Sequence, residues 1–188
     1  MRTLVSGLIL FGTLAVAHAG PETESFGPGQ AIADELRSAT GAAIAWIPAG
    51  MLVEAGRGDL STFVQFGTDE ISVVRLTGKQ VRQALERSVS LFPDASPSFL
   101  QISGLEVVFS KGANPDGRVR TVLVEGVELN ATATYEVAMP GNVARGGLGY
   151  FTVWDRKAIS RTLENATLES LLKGKSGFVR TARWKVVD

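Results

Sequence analysis

Seven short runs of β-branched and aromatic residues alternate irregularly with only three stretches of helical spacing, and glycine or proline separates most of them. The runs are 43–47, 70–76, 99–102, 105–109, 118–124, 135–139 and 183–187. Such runs read as strands. Residues 30–40, 78–91 and 168–172 carry apolar side chains at helical spacing. There is no repeated strand–helix–strand rhythm, so a doubly wound parallel fold is disfavoured. The expectation is an α+β domain, a mixed β-sheet with flanking helices. Thr77 and Gln80 have capping-box spacing at the start of the second helix. Gly41 sits where a left-handed residue would end the first. Asn114-Pro115-Asp116-Gly117 is a turn signal, so 105–110 and 118–124 should pair as a hairpin.

The first 19 residues read differently. Arg2 precedes an uncharged, mostly apolar run over 4–16, and Ala17-His18-Ala19 is a small-x-small cleavage site. These are the parts of a secretory signal peptide. The run is too short to span a bilayer, which needs about 20 apolar residues. Residues 20–29, with two prolines and three glycines, read as a flexible leader, and 30–188 as one domain. The expected destination is the periplasm or the extracellular space, with no membrane attachment after cleavage.

Composition then narrows the chemistry. The chain has no cysteine, and its single histidine is His18, inside the segment expected to be removed. Histidine-dependent nucleophilic catalysis is therefore excluded from 20–188, and zinc or copper lose their preferred ligands. No cofactor is expected. Basic and acidic residues balance at 19 each. A binder of nucleic-acid polymers, which neutralises phosphates with a basic excess, is disfavoured. The carboxylates Asp59, Asp69, Glu70, Asp94, Asp116 and Asp155 fall in loops or at element ends, with no pair spaced for shared acid–base work. Asp59 reads as the cap of 60–63, and Asp116 as a turn former.

Two features remain as candidate binding elements. Arg145-Gly146-Gly147-Leu148-Gly149 is followed by Tyr150 and Phe151. Glycines allow close approach to a ligand or simply make a tight turn. An aromatic beside bare backbone makes a wall for a planar group. Phe99 is a second aromatic at a loop–strand junction; it is either a core residue or the other wall. Trp46, Trp154 and Trp184 read as packing residues.

The order of short motifs carries a resemblance. They are Ala33-Asp34-Glu35-Leu36 through Gly41 and Ile44-Ala45; Gly58-Asp59-Leu60-Ser61; Gln65-Phe66-Gly67; Leu76-Thr77-Gly78-Lys79-Gln80 through Ala84-Leu85-Glu86; Phe99-Leu100-Gln101-Ile102-Ser103-Gly104-Leu105; Gly117-Arg118-Val119; Tyr135-Glu136-Val137; and Gly146-Gly147-Leu148-Gly149-Tyr150. In that order, over about residues 31–151, the chain resembles the C-terminal domain of 5′-nucleotidases. The resemblance implies a nucleotide base held between two aromatics, at positions matched by Phe99 and Tyr150. It also implies an arginine on the substrate, matched by Arg118; the glycines Gly146 and Gly147 beside Tyr150 are the candidate ligand-side backbone.

Departures from the family pattern are as informative. The family's Asn-x-Gly-x-x-Arg is Pro48-Ala49-Gly50-Met51-Leu52-Val53 here, and Arg57 lies four residues further on. Pro-Phe-Gly-Asn becomes Gln65-Phe66-Gly67-Thr68, and the aspartate of Gly-Gly-Asp-Gly becomes Leu148. The family's hydrolysis rests on a separate N-terminal domain with two metals, and no counterpart of it is expected within these 188 residues. The leading expectation is a secreted module that binds a nucleoside or nucleotide and is not catalytic alone. The alternatives are the substrate domain of a split nucleotidase completed by a separate metallophosphatase, and a vestigial or protein-interaction module.

Overall fold

The computed structural model describes residues 20–114 and 117–188. The expected signal peptide and Asp116 lie outside the described residues. Helix α1 (Gly27–Thr40) leads into β1 (Ile44–Pro48), then β2 (Glu70–Thr77), α2 (Gly78–Ser88), β3 (Leu100–Ser103) and β4 (Leu105–Ser110). These are followed by β5 (Val119–Val124), β6 (Val127–Glu128), β7 (Thr134–Pro140), α3 (Gly141–Ala144), β8 (Ile159–Thr167), α4 (Leu168–Leu172) and β9 (Trp184–Val187). Short 3₁₀ turns occupy 49–51, 60–63, 147–152 and 156–158.

The strands form two sheets. One has the order β3-β1-β7-β2-β8 and the other β6-β5-β4-β9. Each mixes one parallel pair, β1 with β7 and β4 with β9, among antiparallel ones. The expected α+β architecture is therefore present, with its strands divided between two mixed sheets. The predicted hairpin forms as β4 and β5. Every residue of β1 and β3 is buried, so both faces of that part of the sheet are covered. Helix α1 packs on β1, β3 and β7, and α2 on β2 and β5. The chain crosses between sheets at Gly104, where φ is +75° and a Cβ would strike the Ala43 carbonyl. Glycine is the residue that tolerates both demands.

Local signals explain most element ends. At α2 both arms of the capping box form: the Gln80 backbone N–H donates to Thr77 Oγ1, and the Thr77 N–H to Gln80 Oε1. The helix stops at Ser88, short of the expected Leu91. The buried Ser88 hydroxyl accepts from the Leu100 N–H, and Val89 already leaves helical geometry. Asp59 caps 60–63, as expected, through the Ser61 N–H at 2.8 Å. The backbone N–H of Gly174, with that of Ser61, holds the Asp59 carboxyl below the ordinary carboxylate range. A carboxylate whose folded pKa is depressed stabilises above its unfolded value of about 3.9 and loses that contribution as pH falls through the folded value. Asp59→Asn should therefore flatten the acid limb of stability below about pH 4, read as urea midpoints across a pH series. An unaltered acid limb would deny Asp59 this part.

The leader expected over 20–29 is not loose. Residues 27–29 form the first turn of α1 with a proline in it, and they are buried. The segment before them is tied down by the fully buried Gln101. Its Nε2 donates to the carbonyls of Pro21 at 2.9 Å and Glu24 at 2.7 Å, and its Oε1 accepts from the Phe26 N–H at 2.7 Å. Gln101→Ala should cost about 1–3 kcal/mol through unsatisfied polar groups. It should also speed limited proteolysis between residues 20 and 26. Unchanged cleavage would mean that other contacts hold the segment.

Strand β8 has no counterpart among the strands expected from sequence. It is the edge of the five-stranded sheet, mostly exposed, with two register shifts against β2 and Asn165 at φ +55°. An exposed edge needs no apolar alternation, and charge there discourages strand addition. Arg161 on β8 donates to Glu136 on β7 at 2.7 Å, and this bond holds the Glu136 carboxyl below its ordinary range.

Candidate functional site

Strands β2 and β7 run antiparallel with Ile71 opposite Pro140. The segment entering β2 and the segment leaving β7 therefore emerge at the same end of the sheet. They are also bonded to each other. Asp69 Oδ2 accepts from the Asn142 N–H at 3.0 Å, and Arg145 pairs with both Asp69 and Glu70. On its other side, the entering segment accepts at the Gly67 carbonyl from Glu169 N–H and at the Asp69 carbonyl from Leu168 N–H.

Each of these tied segments carries one large exposed ring. Phe66 is 54% exposed and Phe151 is 71% exposed. Both rings are thus solvent-facing apolar groups on segments bonded to each other. At the rim Arg145 faces two carboxylates, Asp69 and Glu70, which offset its charge.

The segment 146–151 is bent by left-handed residues. Gly146, Leu148 and Gly149 have φ of +92°, +53° and +79°. Leucine in this region costs about 1–2 kcal/mol relative to its usual conformations. The turn is closed by the Phe151 N–H donating to the Gly146 carbonyl at 3.0 Å. A Cβ on Gly146 would lie 2.9 Å from Phe151 Cα, so glycine is required there for closeness as well as for φ.

The residues singled out from sequence are placed as follows. Gly146 and Gly147 lie in this turn, beside Phe151 and Asn142 respectively. Tyr150 and Phe99 do not form an open clamp, because both rings are buried, at 0% and 1% exposure. Tyr150 stacks on Trp154 at 4.9 Å, and Trp154 stacks on Trp46 at 5.9 Å. The Tyr150 hydroxyl donates to the Ser98 carbonyl at 2.6 Å, and burial pushes the phenol's pKa upward, so it remains a donor. Phe99 packs against Trp184 at 5.1 Å, in an aromatic cluster with Phe109 and Phe92 at the junction of the sheets. Two consecutive aromatics cannot share one face of a tight turn. Tyr150 takes the interior position and Phe151 the exterior one.

Arg118 is likewise turned inward. Its guanidinium donates to the Phe92 carbonyl, and Glu86 accepts from the backbone N–H groups of Arg118 and Val119. It anchors the start of β5 to α2 and to the segment after it. Met51 and Leu52, which stand where the family pattern has polar residues, are core side chains. Arg57 is exposed, its N–H and carbonyl bonded to the Thr62 hydroxyl. Sequence reasoning gives no role to Phe66 or Arg145, although Gln65-Phe66-Gly67 is among the matched motifs and Arg145 opens the glycine-rich run. Among the described residues, no group of three or more His, Cys, Asp or Glu side chains is placed to hold a metal ion. The donor set does not fit a dinuclear metal centre. Among the described residues, no helix is long and apolar enough to cross a membrane.

Comparison with known proteins agrees with the fold. The family described as 5′-nucleotidase, C-terminal domain, matches residues 12–156. The chain is 35% identical over 138 residues to the trifunctional nucleotide phosphoesterase protein YfkN of Bacillus subtilis, covering 65% of this chain and 9% of that protein. It is 31% identical over 101 residues to the snake venom 5′-nucleotidase of Naja atra, covering 50% of this chain and 19% of the other. The chain thus spans less than a fifth of the length of each of these two relatives. The crystal structure of a 5′-nucleotidase precursor from Thermus thermophilus superposes with a TM-score of 0.75 at 24% identity, over 92% of this chain and 38% of that one. At that identity the superposition speaks for the fold. With the family matched over most of its length, this chain belongs to the 5′-nucleotidase C-terminal domain family.

Proposed function

We propose that the chain is a secreted binding module for nucleosides and nucleotides, and that it does not hydrolyse them by itself. The observation that carries this reading is the pair of exposed rings, Phe66 and Phe151, on two bonded segments at one end of the five-stranded sheet. Stacking of a base on an aromatic side chain contributes about 1–3 kcal/mol and tolerates base identity. The names of the relatives, a nucleotide phosphoesterase and a 5′-nucleotidase, supply the ligand class. Secretion rests on the amino-terminal pattern of Arg2, the apolar run and Ala17-His18-Ala19.

The rim charge sets a preference within that class. Arg145 is already engaged by Asp69 and Glu70, so its charge is offset before a ligand arrives. Nucleosides should bind at least as tightly as the corresponding diphosphates. The non-catalytic part of the reading rests on the donor set: among the described residues, no group of three or more His, Cys, Asp or Glu side chains is placed to hold a metal ion.

Calorimetric titration of the full chain with a nucleoside, its monophosphate and its diphosphate, with phosphate assayed in the same samples, tests the reading. Saturable binding without phosphate release is expected. Release of phosphate by the chain alone would contradict the non-catalytic part. Absence of binding across the series would contradict the ligand class and leave a protein-interaction role.

A further inference from the structure

We propose that Arg87, on the last turn of α2, is a positioning residue for the ligand face; this rests on the reading that Phe66 and Phe151 receive the ligand. Arg87 is remote in sequence from the turn that it holds. Its Nε and Nη2 both donate to the Leu148 carbonyl, at 3.2 and 2.7 Å. That carbonyl belongs to the one non-glycine residue forced into the left-handed region within 146–151. The forked guanidinium can satisfy one acceptor with two parallel donors, which an ammonium on a flexible stem does not reproduce.

Three further contacts converge on the same group. The guanidinium carbon lies 5.5 Å from the centre of the Tyr150 ring, on the end of the Tyr150–Trp154–Trp46 stack. A Cβ on Gly149 would run into the guanidinium, so glycine there admits the arginine. Beyond it opens a groove of about 410 Å³, lined by Gln83, Glu86, Arg87, Ser90, Thr152 and Val153. The side chain is therefore a bolt between solvent and the turn.

The consequence concerns Phe151. Its backbone N–H is bonded across the same turn to Gly146, and its ring projects to solvent. With Arg87 in place, a strained backbone keeps one conformation and the ring keeps one orientation. Without it, Leu148 is free to relax, and the ring loses a fixed position before any ligand arrives. Preorganisation of this kind lowers the ordering cost that binding would otherwise carry.

The test compares the wild-type full chain with Arg87→Ala, Arg87→Lys and the double variant Arg87→Ala/Leu148→Asn. Amide hydrogen exchange at Phe151, Val153 and Trp154 reports the turn directly, and exchange in β1 and β7 controls for global unfolding. Exchange at the three amides should rise about tenfold or more in both single variants, with β1 and β7 unchanged. Nucleoside affinity should fall about tenfold. Leu148→Asn should restore slow exchange in the alanine background, since asparagine accepts a left-handed backbone. Unchanged exchange at the three amides, or faster exchange with unchanged affinity, would overturn the inference while the binding site stands. A wild-type chain that binds no nucleoside would overturn the ligand reading and this inference with it.

Discussion

Tyr150→Ala is expected to lower the unfolding free energy by about 3–5 kcal/mol, the range for removing a buried large aromatic. The ring is fully buried, stacked on Trp154 and covered by Arg87, and its hydroxyl satisfies the Ser98 carbonyl. Tyr150→Phe separates the two contributions. It keeps the ring and removes one buried hydrogen bond, so about 1–3 kcal/mol should be lost. Urea denaturation of the two variants measures both. A Tyr150→Ala chain as stable as the wild type but unable to bind nucleosides would mean that Tyr150 is a ligand wall after all. It would also mean that the packed ring is not the arrangement in solution.

Phe66→Ala should show the opposite pattern. The ring is half exposed and lies outside the core, so its removal should change stability little. Loss of base stacking, at about 1–3 kcal/mol, should weaken nucleoside binding by about 5- to 150-fold. The same substitution at Phe151 should act in the same direction. The outcome that would remove both rings from the site is a pair of variants with wild-type dissociation constants.

Much of the fold is legible in the sequence because the elements that make the core are short, apolar and punctuated. Thr77-Gly-Lys-Gln80 announces a capped helix, and Leu168–Leu172 ends before Gly174 as its pattern requires. Strand β8 is illegible because an exposed edge carries residues such as Arg161 and Glu164 with no side to bury. The helical turn at 27–29 is masked by Gly-Pro-Gly, a loop composition. Its order comes from tertiary contacts, above all Gln101, which lies more than seventy residues away.

The candidate site is legible to within one residue and one loop. Sequence identifies the Gly146–Tyr150 turn but cannot assign which of two adjacent aromatics points outward. That choice is made by the left-handed geometry at Leu148 and Gly149, and by the room beside Trp154. Phe99 has the look of a loop aromatic, yet Trp184 comes from the far end of the chain to cover it. Phe66 stands in a recognised motif, but its segment is bonded to the one that carries Phe151 only through the β2–β7 pairing and the Asp69–Asn142 bond. Arg118 reads as a free cation in a turn. Its burial depends on Phe92 and Glu86, which approach from the α2 side.

On the proposed reading the ligand meets the surface formed by 66–70 and 142–151. The direct measurement is the pattern of backbone amide shifts in an isotopically labelled full chain titrated with a nucleoside. Saturable shifts should concentrate at Phe66–Glu70 and Asn142–Thr152, and the amides flanking Phe99 and Arg118 should stay in place. Shifts centred on Phe99 and Arg118, or no saturable shifts at all, would contradict the account.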